Sequence, residues 1–275
     1  MINDFLMLRP GYVKWGFLIF ILIVASIGCK KKTGVIDLIP RNINSSADIV
    51  DLIDSLVLPY DYQNVISLDS LPIEEKKQKF LDLIIPAVLV ARHNLEQEQK
   101  KINKLMAKDT SKLKVKEKEF IQTIMEKYKT DNIDDLNTKL HTHPTSIVVA
   151  QAAIESGWGT SRFFVEANNI FGIWTYNSDI PSIKALGQRS GKQIYLKKYA
   201  SLSESIESYF LTIALGPYDD FRNERLVSND PLDLIKQLTS YSEKRMEYVD
   251  QIGIVLRKNN LIKYDSYIID PKYIK

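Results

Sequence analysis

The sequence predicts an α+β fold that is predominantly helical, with a small β-hairpin or sheet inserted between helices. Apolar residues recur at helical spacing along most of the chain. Between residues 170 and 199 this pattern gives way to β-forming residues separated by turn residues. From residue 201 onward the helical spacing returns. Helices that flank a short β-region indicate a helix-dominated α+β plan.

Length and composition narrow the class of protein. The 275 residues suffice for one or two domains, and 45% hydrophobic with 26% charged residues is typical of a globular chain. The net charge of +3 is too small to indicate a nucleic-acid binder, which usually carries a clustered basic face. We therefore predict no nucleic-acid partner, and we interpret the charged helices of the first half as solvated surface.

The amino terminus predicts export. Arg9 and Lys14 precede an apolar run over residues 15–27, which is shorter than the ~20 residues of a membrane-spanning helix. A positive start, a short apolar stretch and small residues before a break are typical of a secretory signal, here residues 1–28. The single cysteine of the chain, Cys29, follows directly and cannot form an internal disulfide.

The tetrapeptide SIGC that ends at Cys29 resembles a bacterial lipobox, in which the cysteine is lipidated and becomes the mature amino terminus. This resemblance predicts a lipid anchor in a membrane and a location in the cell envelope. Two alternatives remain at this point: an uncleaved anchor with a chance cysteine, and an ordinary signal cleaved elsewhere. Under all three interpretations the rest of the chain is exported.

The part of the chain after the signal is predicted to be a tether followed by helices. Residues 29–44 are charged, contain Gly and Pro and lack periodicity, which indicates a tether. Residues 45–139 are interpreted as a helical amino-terminal extension. Its predicted helices cover residues 46–57, residues 74–109 with a kink or break near Pro86, residues 114–129 and residues 131–143.

Residues 140–270 are predicted to form the functional domain. Pro144 suits the first turn of a helix that ends near Glu155, because two glycines follow and favour termination. Further helices are predicted at residues 161–169, 201–215, 230–242 and 243–260, with the β-region between the first two.

The stretch AQAAIESGWGTS, residues 150–161, raises a chemical question because its helix ends on an acid. A helix C-terminus carries the negative end of the macrodipole, where an anion is destabilising. That field and desolvation beside Ile154 and Trp158 are expected to raise the pKa of Glu155. General-acid cleavage of a glycosidic bond requires such a carboxyl group, protonated near neutral pH. The alternative is a surface glutamate at a frayed helix end.

Two motifs about a dozen residues apart carry a family resemblance. ESGWG in this stretch and NNIFG at residues 168–172 resemble the signature of the bacterial β-N-acetylglucosaminidase domain, glycoside hydrolase family 73. The chain is similar to the Bax-like branch of that family over residues 74–265. Four further segments carry this narrower likeness: KFLDLIIPAVLVARHN, YASLSESIESYFLTI, YDDFR with Arg225, and YSEK continuing to Tyr248.

The resemblance implies a lysozyme-like catalytic domain that cleaves the glycan strands of peptidoglycan. It implies that Glu155 is the general acid and that Tyr241 is a catalytic residue that helps to position water or the acetamido group. It also implies a set of substrate-binding residues: Gln151, Ser156, Trp158, Asn168, Asn169, Trp174 and Glu243. Core packing stays an alternative for the tryptophans, and helix capping stays one for the asparagines.

The sequence departs from many relatives in the β-region, where they carry a second carboxylate about forty residues after the first. Here Asp179 is the only acid between residues 177 and 204, and it lies in an apparent turn. We therefore favour a substrate-assisted mechanism, in which the N-acetyl group of the sugar is the nucleophile. Glu243, Glu166 and Asp220 stay open as second carboxylates.

Neither a cofactor nor a metal site is predicted. His141 and His143 are two residues apart, His93 is alone on the long helix, and no acid or cysteine cluster completes a ligand set. The predicted function is an exported peptidoglycan hydrolase. Two other functions stay open: a lytic transglycosylase, and a catalytically degenerate envelope lipoprotein that binds glycan.

Overall fold

The structure is a computed structural model that describes residues 34–177, 179–189 and 192–275. The predicted signal and the predicted lipidation site, Cys29, lie outside these ranges. Within them, no helix combines the length and the apolar character needed to cross a bilayer. The described residues belong to one compact unit.

Helices form most of the described chain, as the sequence predicts. Helix α1 spans Ile73–Met106 and passes through Pro86 without ending. A proline inside a helix costs about 3 kcal/mol. The fully buried neighbours Ile85 and Val88 offset this cost by packing into the core. The other helices are α2 (Val115–Lys127), α3 (Ile133–Leu140), α4 (Thr145–Ser156), α5 (Arg162–Ala167), α6 (Leu202–Leu215), α7 (Asp219–Glu224), α8 (Pro231–Leu234) and α9 (Met246–Lys258).

Helix α4 lies at the centre of the core. It packs against α1 and α9, and α1 also packs against α6. Residues 147–150 of α4 are small or β-branched and fully buried. Asp265 accepts hydrogen bonds from the backbone N–H and the hydroxyl of Ser146 at 2.7 and 2.8 Å, which satisfies the amino-terminal end of α4. Since α1 belongs to the predicted extension and α4 to the predicted domain, both regions contribute to one core.

The predicted β-region forms a three-stranded antiparallel sheet. Its strands are β4 (Trp174–Thr175), β5 (Ser182–Arg189) and β6 (Lys192–Lys197), in the order β4-β6-β5. Trp174 pairs with Leu196 and Thr175 with Tyr195, so β4 is an edge strand. The prediction of a helix-dominated α+β fold with a small sheet is confirmed.

The predicted helix over residues 46–57 is wrong. Only Ser46–Asp48 forms a helical turn, of the 3₁₀ type. Tertiary partners replace helical hydrogen bonds in this segment: the hydroxyl of Tyr62 accepts from the Val50 N–H at 3.2 Å, and Asp82 accepts from the Leu52 N–H at 3.1 Å. The apolar residues of this segment therefore pack on the core at separate points and do not form one face of a helix.

The carboxyl-terminal part of the predicted tether also differs from expectation. From Gly34 onward this segment lies against the folded unit, with Ile36 bridged to Ile274 and Ile43 buried. Its isoleucines supply the apolar surface that a free tether lacks. The short strands here are β1 (Ile39–Arg41), parallel to β3 (Tyr60–Tyr62), and β2 (Leu56–Val57), parallel to β7 (Ile268–Ile269).

Candidate active site

Glu155 lies in the last turn of α4, at the point where a tight turn ends the helix. Gly157 adopts the left-handed conformation with φ of 59°, and its N–H bonds back to the helix. A positive φ is easily adopted by glycine, which explains why the helix ends here. The predicted end of this helix is thereby confirmed, and it brings the Glu155 side chain to the protein surface.

The electrostatic setting of Glu155 suits an acid. Its side chain is accessible to solvent, yet protein atoms crowd its carboxyl group, and this desolvation raises the pKa of Glu155. A hydrogen bond opposes part of this shift: the hydroxyl of Tyr248 donates to Glu155 Oε1 at 2.8 Å. The carboxyl group therefore holds its proton more tightly than a free glutamate does, while its surface stays open to a substrate.

Four tyrosines surround this carboxyl group, and we call them the tyrosine cluster: Tyr209, Tyr218, Tyr241 and Tyr248. Tyr241 stacks on Tyr248, with ring centroids 5.4 Å apart and ring planes 9° apart. The ring centroids of Tyr218 and Tyr209 lie 5.9 and 6.4 Å from that of Tyr241. Burial raises the pKa of each of the four hydroxyls, and the negative charge of Glu155 contributes to each shift. The cluster therefore stays neutral beside Glu155.

Tyr248 is the site residue that the sequence analysis did not assign. It lies in the first turns of α9, 93 residues from Glu155, and only the tertiary fold brings the two together. A partial signal is present in the sequence: Tyr248 follows Tyr241 by seven residues within a segment that carries the family resemblance. The predicted site residue Tyr241 lies in the same cluster, stacked behind the tyrosine that touches Glu155.

Gln151 and Ser156, two of the predicted substrate-binding residues, are both fully buried and bond within the protein. The Ser156 hydroxyl donates to the Ala152 carbonyl at 2.6 Å and accepts from the Gly159 N–H at 3.1 Å, so it stabilises the turn after α4. The Gln151 amide bonds to Tyr209 and Tyr248 inside the protein. Both residues support the Glu155 site from behind.

Asn168 and Asn169, which are also predicted to bind substrate, are buried and hydrogen-bonded within the protein. Asn168 is nearly buried, ends α5 with φ of 50°, and donates to the carbonyls of Gln63 and Tyr199. Asn169 donates to the carbonyls of Ile173 and Lys197 and accepts from the Ile173 N–H. These bonds fix the NNIFG loop against the sheet, and Asn168 occupies the C-cap position of α5 through its backbone while both side-chain amides bond elsewhere.

The two tryptophans have different environments. Trp158 is partly buried, packs edge-to-face against Phe80 with centroids 5.5 Å apart, and has φ of 58°, which is uncommon for a bulky residue. Trp174 on the edge strand β4 is 38% exposed. Trp174 therefore retains the accessible aromatic face that a sugar ring could contact, whereas Trp158 is also part of the core.

The carboxylates considered as a second catalytic group lie at the surface. Asp179 and Asp220 are exposed, and Glu166 forms an ion pair with Arg162 at 2.9 Å. Glu243 is exposed in the segment that precedes α9. Within the described residues, no group of three His, Cys, Asp or Glu side chains is arranged to hold a metal ion.

Comparison with known proteins relates the chain to enzymes that act on N-acetylglucosaminyl bonds. The Glucosaminidase family model, described as mannosyl-glycoprotein endo-beta-N-acetylglucosaminidase, matches residues 130–273. Protein Bax of Escherichia coli K12 is 30% identical over 123 residues, which are 42% of this chain and 43% of Bax. Exo-glucosaminidase LytG of Bacillus subtilis 168 is 28% identical over 139 residues, 48% of this chain and 49% of LytG. The chain thus spans about half the length of these curated relatives.

Solved structures include similar domains. The catalytic domain of the autolysin Auto from Listeria monocytogenes has a TM-score of 0.39 and 24% identity, covering 61% of this chain and 96% of that domain. The glycoside hydrolase domain of FlgJ from Salmonella typhimurium has a TM-score of 0.35 and 17% identity, covering 52% of this chain and 97% of that domain.

Proposed function

The chain belongs to the glucosaminidase family, as its ESGWG and NNIFG motifs predicted, and from this premise we propose that it is an exported peptidoglycan hydrolase. It cleaves N-acetylglucosaminyl bonds with Glu155 as the general acid. The observation that carries this proposal is a carboxyl group that is open to solvent, has a raised pKa and is held by a tyrosine hydroxyl. Access to solvent and a raised pKa suit a group that must protonate a glycosidic oxygen, and the tyrosine hydroxyl holds that group in place.

The proposed reaction has two steps. In the first, Glu155 gives its proton to the glycosidic oxygen while the bond from this oxygen to C1 of the sugar breaks. The carbonyl oxygen of the sugar's own acetamido group bonds to C1 from the opposite face, which is substrate assistance. In the second step water attacks C1, the bond to the acetamido oxygen breaks, and the proton of the water goes to Glu155. Glu155 is thus the one protein carboxylate that the reaction needs.

The test of this function uses purified sacculi and mass spectrometry of the soluble products. We expect muropeptides with reducing-end N-acetylglucosamine from the wild type and none from Glu155→Gln. Full activity of that variant would contradict the assignment of Glu155. Anhydro-muramyl ends would instead identify a lytic transglycosylase, since that reaction closes a ring on the sugar and adds no water.

One observation favours a second function, a glycan-binding envelope protein with a degenerate site. The sequence of the sheet, residues 174–197, contains a single carboxylate, Asp179, and that residue is exposed. A binder would sediment with sacculi as a folded protein and release no soluble product. The hydrolase predicts both sedimentation and release.

Export and anchoring form a separate part of the proposal, and they rest on the sequence of residues 1–29. Cys29 is proposed to carry lipid and to hold the enzyme at a membrane of the cell envelope, within reach of peptidoglycan. Labelling of cells with a palmitate analogue tests this. Label should be lost in Cys29→Ala, and label retained in that variant would contradict the anchor.

A further inference from the structure

A continuous chain of buried hydrogen bonds leads from the core of the protein to Glu155, and we call it the relay. Its members in order are Arg225, His143, Tyr209, Gln151, Tyr248 and Glu155. The first five are at most 3% exposed. The relay joins three helices, α4, α6 and α9, with two segments, one after α3 and one after α7.

The core end of the relay fixes the direction of its first bond. The guanidinium of Arg225 donates through Nη2 to the carbonyls of Thr138 and Lys139 at the carboxyl-terminal end of α3, where a cation is stabilised. Its Nη1 lies 3.3 Å from His143 Nδ1. A guanidinium has donors and no acceptor, so Nδ1 must accept. Burial and the nearby cations lower the pKa of His143 well below its usual value, so the neutral ring carries its proton on Nε2.

The next two bonds follow from this tautomer. His143 Nε2 is 3.0 Å from the Tyr209 hydroxyl and donates to it. Tyr209 must then donate its own proton, and it does so to Gln151 Oε1 at 2.6 Å. The Gln151 amide is therefore oriented with its oxygen towards Tyr209 and its nitrogen towards Tyr248.

The last two bonds reach the acid. Gln151 Nε2 donates to the Tyr248 hydroxyl at 3.2 Å, and Tyr248 donates to Glu155 Oε1 at 2.8 Å. Gln151 and Glu155 are four residues apart on α4, so they share one helix face and Tyr248 of α9 bridges them. Each hydroxyl in the relay accepts one bond and donates one, and all donors point in one direction.

We infer that Gln151 is a positioning residue for the reaction: its amide forces Tyr248 to donate to Glu155 Oε1, and this places the acidic proton on Glu155 Oε2. In a carboxylic acid the carbonyl oxygen is the better acceptor, so the oxygen that Tyr248 engages carries no proton. The proton then lies on the oxygen left for the substrate. This inference rests on the proposed role of Glu155 as the acid.

Two causes act on the pKa of Glu155: desolvation raises it, and the hydrogen bond from Tyr248 lowers it. The charge of Glu155 in turn raises the pKa of the hydroxyls that face it, those of Tyr209 of α6, Tyr218 before α7, Tyr241 before α9 and Tyr248 of α9. At the core end, Arg92 and His141 add to the field of Arg225 at His143. Burial lowers the pKa of Arg225 to about 10, so it stays charged at neutral pH.

The inference is tested by a double-mutant cycle on Gln151→Leu and Tyr248→Phe, with a soluble peptide-free glycan fragment as substrate. Each single change should lower kcat about 10- to 100-fold with little change in KM, because Tyr248→Phe removes the hydrogen bond to the Glu155 carboxyl group and Gln151→Leu removes the donor that orients this bond. The double variant should be no slower than Tyr248→Phe, since Gln151 acts through Tyr248. Multiplied effects in the double variant would overturn the inference.

The pH profile of kcat distinguishes a positioning role from a purely structural one, because a purely structural role would leave the profile in place. Its alkaline limb reports the acid in the enzyme–substrate complex. Loss of the tyrosine donor removes a bond that favours the carboxylate, so both single variants should shift this limb to higher pH. An unchanged limb in Gln151→Leu would contradict the inference, whereas an active Glu155→Gln variant would contradict the proposed function instead.

A milder pair of variants covers the case in which Gln151→Leu fails to fold. Tyr209→Phe removes one hydroxyl of the relay and keeps the ring, which stacks on Phe171 at 4.4 Å. Tyr199→Phe is the matched control, because its hydroxyl bonds to Ser208 outside the relay. Tyr209→Phe should shift the alkaline limb in the same direction, and Tyr199→Phe should leave it in place. Equal profiles for the two variants would refute the relay.

Discussion

Two regions of the molecule, a helical region around Glu155 and a sheet region, differ in what they offer to a substrate. The helical region, built from α4 and α9, presents one carboxyl group backed by buried hydroxyls and a neutral histidine. The sheet region, β4 to β6, presents the exposed aromatic side chains of Trp174, Tyr176 and Tyr195. Its sequence holds one acid, the exposed Asp179.

This difference indicates a division of roles. In the proposal, the helical region fixes the charge state and the proton position of a single acid, and such fixed geometry requires burial of the supporting groups. The sheet region exposes flat aromatic rings, which suit contact with sugar rings. Because the one acid in the sequence of the sheet, Asp179, is exposed and lies in a turn, we propose that the nucleophile comes from the substrate.

The largest effect should come from Glu155→Gln, and Asp179→Asn is its matched control in the sheet region. The first removes the proton donor, and the expected loss of kcat is about 10²- to 10⁴-fold. The second should leave the rate of release from sacculi within about twofold, because the Asp179 side chain is exposed and the bond from Asp179 to Asn177 Oδ1 uses the backbone N–H, which the substitution keeps. A comparable loss in Asp179→Asn would move the second catalytic group to the sheet region.

The next effect concerns stability, through two glycines with positive φ. An added Cβ at Gly159 would approach side-chain atoms of Leu68, Phe80 and Phe164 at 3.0 to 3.3 Å, whereas at Gly172 it would meet no atom within 4 Å. Gly159→Ala should therefore lower the free energy of unfolding by about 1–3 kcal/mol more than Gly172→Ala. Urea denaturation followed by circular dichroism measures both. Equal losses of unfolding free energy in the two variants would contradict this prediction and show that the strain of a positive φ alone sets the cost.

A smaller effect on binding is expected from Trp174. Trp174→Ala removes an accessible ring from β4, and the KM for soluble glycan should rise about 2- to 10-fold with kcat nearly unchanged. Trp174→Phe keeps a ring and should lie close to the wild type. A fall in kcat without a change in KM would assign Trp174 to the chemical step and remove the division between the two regions.

The smallest effect is a pH-dependent gain in the thermal stability of Glu155→Gln relative to the wild type. Desolvation raises the pKa of Glu155 above the ordinary glutamate value of 4.5, so the folded state holds this proton more tightly than the unfolded state. As the pH rises from about 4.5 through the raised pKa, the wild type loses this stability and Glu155→Gln does not. The Tm of Glu155→Gln should exceed that of the wild type by an amount that grows as the pH rises through this range. A difference independent of pH would contradict the raised pKa.

Local signals in the sequence predict several elements of the fold. Proline and glycine set the bounds of α4, and turn residues among β-formers set the sheet. The burial of Gln151, Ser156 and the two asparagines cannot be predicted from an amide or hydroxyl near a motif. The contact of Tyr248 with Glu155 cannot be predicted either, since the bond joins residues 93 positions apart and depends on how α9 packs on α4.

The most direct test of the central claim compares two soluble substrates that differ only in the acetamido or trifluoroacetamido group on the sugar at the cleaved bond. Fluorine withdraws electron density from the carbonyl oxygen and changes its shape little. If the substrate supplies the nucleophile, kcat should fall at least about tenfold with KM nearly unchanged. Equal kcat values for the two substrates would contradict the account and require a second protein carboxylate.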